Sequence, residues 1–285
     1  MTIIDLIDKH MNVLTKTQRR VADYILKNTV QSAFSTVETL SQAIGISTNS
    51  VVRLAATIGF SSYSEFHNAL QEYVMAQESP SAKLGTWINS RNTEKSIITE
   101  ITSIQQNNIG NTLKRLSEEK IYEAAKMILD SSHIYVTAGR SSYAVAYFFM
   151  YNLARLTAKC DMLAFGEPNL PEMISRITKD DVIFTVNIPR YLAQTIQIVK
   201  LARERGAKVI AVTDSYASPL QPYSDILFFV EYKGVSFFNS MVSSLMVVEI
   251  LLSVIADMIG SSSYEFMEVA EKVSKAIGLH PVITL

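Results

Sequence analysis

Residues 181–195 read DVIFTVNIPRYLAQT. The apolar run at 182–186 has the character of a strand buried on both faces, and a helical pattern opens near Leu192. Between them lie Asn187, Ile188, Pro189, Arg190 and Tyr191. A buried strand that passes into a helix through a short turn is the repeating unit of α/β proteins, and such turns hold anions. The same rhythm extends in both directions. Upstream, HIYVTA (133–138) reads as a strand, 141–158 as a helix, KCDMLAF (159–165) as a strand and 171–177 as a short helix. Downstream come a helix at 192–205, the strands KVIAVTD (208–214) and DILFFVE (225–231), and a helix at 235–259. Strands alternating with helices of this length predict βαβ units and a parallel sheet covered on both faces.

Before residue 131 the chain changes character. Residues 1–77 read as helices only. ESPSAKLG (78–85) is rich in small residues and Pro/Gly, and it opens a linker over 78–92. Connecting helices follow at 93–130. The first, 93–116, carries Ile97, Ile101, Ile104, Ile109 and Leu113 on one face. That face would be buried either in a dimer interface or against the chain's own α/β domain. The second is opened by Ser117, Glu118 and Glu119, a cap and two acids at the positive end. The α/β domain is expected at 131–260 and a C-terminal helix and tail at 261–285.

Composition narrows the classes. The chain has 285 residues, is 48% hydrophobic and carries a formal charge of −1, enough for two domains with real cores. A single cysteine, Cys160, permits no internal disulfide and fits a reducing cytoplasm. The N-terminal MTIIDLIDKHMNVL puts Asp5 and Asp8 ahead of any basic residue, unlike a signal peptide. The apolar stretch 245–259 is broken by Glu249, Ser253 and Asp257, so it reads as a packed helix with no membrane partner. His133 and His280 have no Cys or His neighbour at ligand spacing, which predicts no metal and no cofactor.

Residues 37–60, VETLSQAIGISTNSVVRLAATIGF, hold a second recognisable unit. Thr36 or Ser35 can cap a helix running to Ile44, Gly45 permits a left-handed turn, and Ser47 can cap a second helix that stops at Gly59. Leu40, Ile44, Ile46, Val51 and Leu54 would form the shared seam. Two short helices joined this way make a helix-turn-helix, whose second helix enters the DNA major groove. Its reading side chains would be Ser47, Thr48, Asn49, Ser50 and Arg53; Asn suits adenine and Arg suits guanine. Residues 1–77 nevertheless balance six bases (Lys9, Lys16, Arg19, Arg20, Lys27, Arg53) with six acids (Asp5, Asp8, Asp23, Glu38, Glu65, Glu72). Without a basic footprint a single copy binds DNA weakly, so a homodimer or homotetramer reading a palindrome is expected.

LTKTQRRVADYILKN followed by STVETLSQAIGISTNSVVRLAATIGFSSYSEFHNAL resembles the N-terminal domain of the RpiR family of bacterial transcriptional regulators. The alternating half is similar to the SIS (sugar isomerase) domain of those regulators, through TAGRSS, DVIFTV and ERGAKVIAVTDSYASPLQPYSDILF. The resemblance implies an all-helical helix-turn-helix domain followed by a doubly wound, mainly parallel, five-stranded flavodoxin-like domain. It also implies a cytoplasmic regulator that binds operator DNA and is tuned by a small anionic metabolite, commonly a phosphosugar.

Candidate ligand contacts sit at the carboxyl ends of the strands. After the first strand come Gly139, Arg140, Ser141 and Ser142, the glycine for close approach and the serines either as ligand donors or as helix caps. In the turn at 187–192, SIS domains that bind phosphosugars have a Ser-x-Ser-Gly-x-Thr run. Its hydroxyl positions fall here on Asn187, Pro189 and Leu192, and only Asn187 retains a hydrogen-bonding side chain. Arg190 offers a guanidinium fork instead, with Tyr191 beside it; alternatively Arg190 pairs with Glu167 or Asp214 and only holds the loop. Thr213 and Ser218 close the predicted site, with Tyr216 a weaker candidate. The rival reading is a sugar-phosphate isomerase, which needs a base; Glu167, Asp214 and Glu231 are the nearest acids, and none sits in a catalytic motif.

Overall fold

The computed structural model describes residues 2–77, 79–91 and 96–279. The predicted helix start at Thr93, His280 and the tail beyond it lie outside the described residues. Two compact units emerge. The first comprises residues 1–102 together with the loop segments 215–221 and 234–239; the second comprises the remainder.

The first unit is helical: α1 (Ile3–His10), α2 (Lys16–Lys27), α3 (Thr29–Phe34), α4 (Val37–Ile44), α5 (Thr48–Thr57), α6 (Tyr63–Gln77) and α7 (Pro80–Ser90). Local chemistry sets their starts. Thr2 with Asp5, and Thr15 with Gln18, form reciprocal capping boxes. The core gathers Ile7, Val21, Ile25, Leu40, Val51, Leu54 and Phe66, all buried. Gln18 is buried as well, and its amide donates to the Arg53 carbonyl at 3.2 Å and the Thr57 hydroxyl at 2.7 Å, tying α2 to α5. The segment read as a linker carries α7, because Ser79 caps it and Pro80 occupies its first turn, where the missing N–H costs nothing.

In the second unit, α8 (Ile97–Arg115), whose first turns belong to the first unit, and α9 (Glu118–Asp130) precede a sheet of β1 (Ile134–Ala138), β2 (Cys160–Met162), β3 (Val182–Val186), β4 (Lys208–Thr213) and β5 (Ile226–Phe229). The strand order is β2-β1-β3-β4-β5 and every pairing is parallel. The connections are α10 (Ser142–Leu153), α11 (Leu170–Arg176) and α12 (Ala193–Glu204), and α13 (Val242–Ile259) and α14 (Ser261–Ala276) follow the sheet. Strand residues alternate between faces. Val136, Phe184 and Ile210 meet α9, α10 and α13 on one face, with Phe149 stacked on Phe184 at 3.9 Å. The intervening residues face α12. This is the doubly wound five-stranded sheet that the alternating sequence predicts. Cys160, on the edge strand, is buried, and burial pushes its thiol up to about 12.

Three further elements differ from expectation. The strand read over 159–165 is only three residues long, because it is an edge with a single partner, β1. The apolar stripe of α8 is only partly covered within one chain: Ile101 and Leu113 are exposed and Ile97, Ile104 and Ile109 half-buried, while Asn108 and Thr112 are buried. The helix docks through hydrogen bonds instead, Asn108 donating to the Lys233 carbonyl at 2.8 Å and Thr112 accepting from the Glu231 N–H at 2.9 Å. The last core helix starts at Val242 rather than 235. Gly234 lies so close to the Phe238 carbonyl that no Cβ fits there, and the Ser240 hydroxyl accepts the Val242 N–H. Running from Val242 to Ile259, this helix is long and apolar enough to cross a membrane by length and composition alone. It packs instead over the sheet, burying Val247, Val248, Leu251 and Ile255.

Candidate functional site

The first unit presents α5. Gly45 ends α4 in the left-handed conformation, φ 71° and ψ 50°, which turns the chain into α5. Leu40, Val51 and Leu54 are buried in the seam, with Ile44 and Ile46 half-buried beside them. Arg20 donates to the Ile44 carbonyl at 2.9 Å and so holds the turn. On the outer face Ser47, Asn49 and Arg53 are exposed, and Thr48 and Ser50 are half-buried. Ser47 occupies the N-cap position, but its hydroxyl meets that of Ser50 at 3.0 Å rather than a backbone N–H. The Ser50 N–H donates to the Ser47 carbonyl at 3.0 Å, so the N–H groups of Thr48 and Asn49 are the ones left for another acceptor. Val52 is 40% exposed between Asn49 and Arg53. Apolar character alone suggests core; only the burial of its neighbours Val51 and Leu54 reveals that Val52 faces outward.

In the second unit β1 and β3 are neighbours, with Ala138 opposite Val186. The chain order reverses here, so the turns after these two strands flank the topological switch point, where α/β sheets bind ligands. In the first turn Gly139 lies beneath the Leu192 side chain. A Cβ at this position would collide with Leu192 and stand 3.2 Å from the Phe165 ring. Arg140 is exposed and left-handed, φ 55°. Ser141 is exposed, Ser142 is buried, and no side-chain hydrogen bond caps α10. These hydroxyls are therefore not used as the helix cap.

The turn after β3 is bound up in itself. Asn187 is buried, and its carbonyl oxygen accepts the Leu192 N–H at 3.1 Å. Its backbone N–H continues the ladder to the Val212 carbonyl, and its backbone carbonyl accepts the Thr213 hydroxyl at 2.8 Å. Tyr191, also buried, donates to the Asp214 carboxylate at 2.5 Å. Asn187, Tyr191 and Thr213, read as ligand contacts, thus each have a hydrogen bond within the turn. Arg190 differs. It is half-buried and left-handed, φ 59°, and its Nε is buried without a hydrogen-bond partner. Among the described residues it has no ion pair with Glu167 or Asp214. Arg140 and Arg190 are the only non-glycine residues with positive φ among those described, and such backbone strain gathers at ligand clamps. Ser218 belongs to a segment of the first unit; it is buried and accepts the Leu220 N–H at 3.3 Å.

Of the three acids that an isomerase could use, Glu167 is exposed and the other two are engaged. Asp214 accepts from Tyr191, and Glu231 lies 3.6 Å from Arg115. No group of three or more His, Cys, Asp or Glu suited to a metal occurs among the described residues.

Comparison with known proteins adds independent findings. Residues 1–77 match the helix-turn-helix domain of the rpiR family, and residues 127–254 match the SIS domain. An uncharacterized HTH-type transcriptional regulator of Caldanaerobacter subterraneus is 24% identical over 258 residues, covering 89% of this chain and 90% of that one. The HTH-type transcriptional regulator RpiR of Escherichia coli is 20% identical over 215 residues, 75% of this chain and 71% of that one. The solved structure of Vibrio vulnificus NanR complexed with ManNAc-6P superposes with a TM-score of 0.70 at 22% identity, covering 97% of this chain and 99% of that one, and so shares the fold. The sugar isomerase domain of an RpiR transcription factor from Sphaerobacter thermophilus superposes with a TM-score of 0.60 at 26% identity, covering 62% and 99%.

Proposed function

Since this chain belongs to the RpiR-type transcriptional regulators, a helix-turn-helix domain joined to a SIS domain, we propose that it reads operator DNA through α5 and tunes that reading by binding a small anionic metabolite at the β1/β3 edge. Asn49 and Arg53 supply base contacts, Val52 an apolar contact for a thymine methyl, and Ser47 with the first N–H groups of α5 a phosphate contact. Thr48 and Ser50 stand one row behind them. The neutral first unit calls for two or four copies on a palindrome, which multiplies the phosphate contacts. In keeping with relatives named as regulators, the protein works in the cytoplasm and turns over no substrate.

Arg190 carries the effector reading. A buried guanidinium nitrogen without a partner costs free energy unless an acceptor arrives, and this one sits at the switch point on a strained turn. An anion gripped by Arg190, with Arg140 and the Ser141 and Ser142 hydroxyls across the edge, satisfies it bidentately. The hydroxyl set of phosphosugar-binding turns is missing here, and Leu192 fills the space over Gly139. Arginine is therefore the anchor for either a sugar phosphate, the class to which the ligand named in the NanR complex belongs, or a sugar acid.

A thermal-shift panel of sugar phosphates, sugar acids and keto acids tests this, paired with gel shift of DNA from upstream of the gene. A ligand at ~100 times its dissociation constant stabilises by about 2.7 kcal/mol. The expected result is one anionic class that raises the melting temperature and alters the gel shift, with both effects lost in Arg190→Ala. A variant that keeps full response removes the arginine anchor, and turnover of a sugar phosphate by the purified protein overturns the regulator reading in favour of the isomerase.

A further inference from the structure

Residues 1–77 are neutral in sum, yet their charges are sorted by helix. α2 and α5 carry five bases, Lys16, Arg19, Arg20, Lys27 and Arg53, against one acid, Asp23. α1, α4 and α6 carry five acids, Asp5, Asp8, Glu38, Glu65 and Glu72, against one base, Lys9. On α2 the charged residues recur at three- and four-residue steps and so share one face; Lys16, Arg19, Arg20 and Lys27 are all exposed. The opposite face, Gln18, Val21, Ala22 and Ile25, is buried in the core. No acid among the described residues pairs with any of the five bases. Arg19 and Arg20 each use one nitrogen on a backbone carbonyl, that of Asn12 at 3.2 Å and that of Ile44 at 2.9 Å. A guanidinium has several N–H donors, so most remain available while the side chain is held in place.

Hydrogen bonds fix where this stripe lies. The Gln18 amide holds the start of α2 against Arg53 and Thr57 of α5, and Arg20 grips the joint between α4 and α5 at Ile44. The basic face therefore borders the helix that presents Asn49 and Arg53. We infer that the exposed stripe of α2 is a docking surface for the phosphate backbone of duplex DNA, laid beside the groove that α5 reads, and that the first unit is a dipole with α2 and α5 at its positive pole. Charge and length favour this occupant. Lys16 to Lys27 span roughly 16 Å of helix axis, and duplex DNA carries a phosphate about every 3.4 Å along each strand, so an extended polyanion engages the whole stripe where a small anion meets one end of it. The acids of α1 and α6, helices that pack on each other, are repelled by the same duplex and turn α5 toward it. Backbone contacts orient a protein on DNA without reading bases, which separates the role of α2 from that of Asn49 and Arg53. The inference rests on the operator reading proposed for α5, and it answers the neutral composition of residues 1–77: phosphates meet the local charge of one face, not the sum.

The test is fluorescence anisotropy of a labelled random-sequence DNA duplex titrated with the full chain, from about 50 to about 200 mM salt. Random sequence makes the result independent of which operator is bound. The triple variant Lys16→Gln, Arg19→Gln, Lys27→Gln changes exposed side chains, so its circular dichroism and melting temperature stay as in the wild type. Its plot of log affinity against log salt is expected to be shallower by about 0.9 for each base removed in each bound copy. The milder double variant Lys16→Gln, Lys27→Gln, which breaks no side-chain hydrogen bond, shows the same trend. Lys9→Gln removes the same charge from the acidic side of the unit, where Lys9 is exposed, and leaves the slope unchanged. A triple variant with the wild-type slope overturns the stripe while the reading by α5 stands. A Lys9→Gln variant that flattens the plot as much per charge overturns it too, because net charge and not position would then be at work. A wild-type chain that binds no duplex even at low salt overturns both. Retention of the wild type, but not the triple variant, by phosphatidylglycerol vesicles, with duplex binding equal in the two, would assign the stripe to a lipid surface instead.

Discussion

The two turns at the β1/β3 edge occupy equivalent places and are built in opposite ways. The turn after β1 is open: its serines cap nothing and Arg140 points to solvent-exposed space. The turn after β3 is closed by Asn187, Tyr191 and Thr213, which bond one another's segments and Asp214. Arg190 alone stands out of that network, with a buried nitrogen that has no partner. These bonds tie down the backbone on either side of Arg190, whose buried Nε has no hydrogen-bond partner. The open turn is the side on which a ligand can be accommodated. For the anion site proposed here, a tied-down side and a side with available donors lower the ordering cost of binding.

Substitutions break or sharpen this contrast in graded steps. Gly139→Val has the largest expected effect. Its side chain collides with Leu192 and Phe165, the contact that joins the two turns, and overpacking of this kind costs up to ~3 kcal/mol. Thermal unfolding should show the loss; an unchanged melting temperature would mean that Leu192 swings aside freely and the turns are not coupled. Asn187→Ala comes next. It leaves the Leu192 N–H uncapped inside the fold, a loss of about 2 kcal/mol in urea denaturation, and effector binding weakens with it because Arg190 is no longer held.

Arg190→Gly reverses the sign. A left-handed backbone suits glycine, so removing the side chain relieves about 1 kcal/mol. The apo protein should melt higher while its response to the effector disappears; a lower melting temperature would show that Arg190 is a structural strut. Ser141→Ala is the smallest. With no cap to lose, stability should stay within about 0.5 kcal/mol, while calorimetric affinity for the effector falls. A clear loss of stability without loss of affinity would return Ser141 to the role of a helix terminator.

Much of the architecture was legible because it rests on short-range rules. Apolar runs of five or six residues flanked by turns located β1, β3, β4 and β5, and Gly45 announced the left-handed joint between α4 and α5. The segment 78–92 also carries the helix α7, which the small-residue composition did not announce although Ser79 and Pro80 are good helix openers. Burial along α8 follows the hydrogen bonds of Asn108 and Thr112 to a distant loop, and periodicity does not detect such bonds. Within the site, the residue types at 187–192 already showed that the hydroxyl set of phosphosugar-binding turns was gone. They did not show that Leu192 covers Gly139 or that Val52 faces outward on α5.

Sequence alone, then, determined the order of helices and strands, the helix-turn-helix, the sheet and the presence of an arginine in the turn after β3. Each of these depends on neighbours a few residues apart. Tertiary structure decided which polar groups remain available. Tyr191 meets Asp214 from 23 positions away and Thr213 meets the Asn187 carbonyl from 26. A donor's partner is set by which segments pack together, so only the folded chain leaves the Arg190 nitrogen, among all those candidates, buried and waiting for an acceptor.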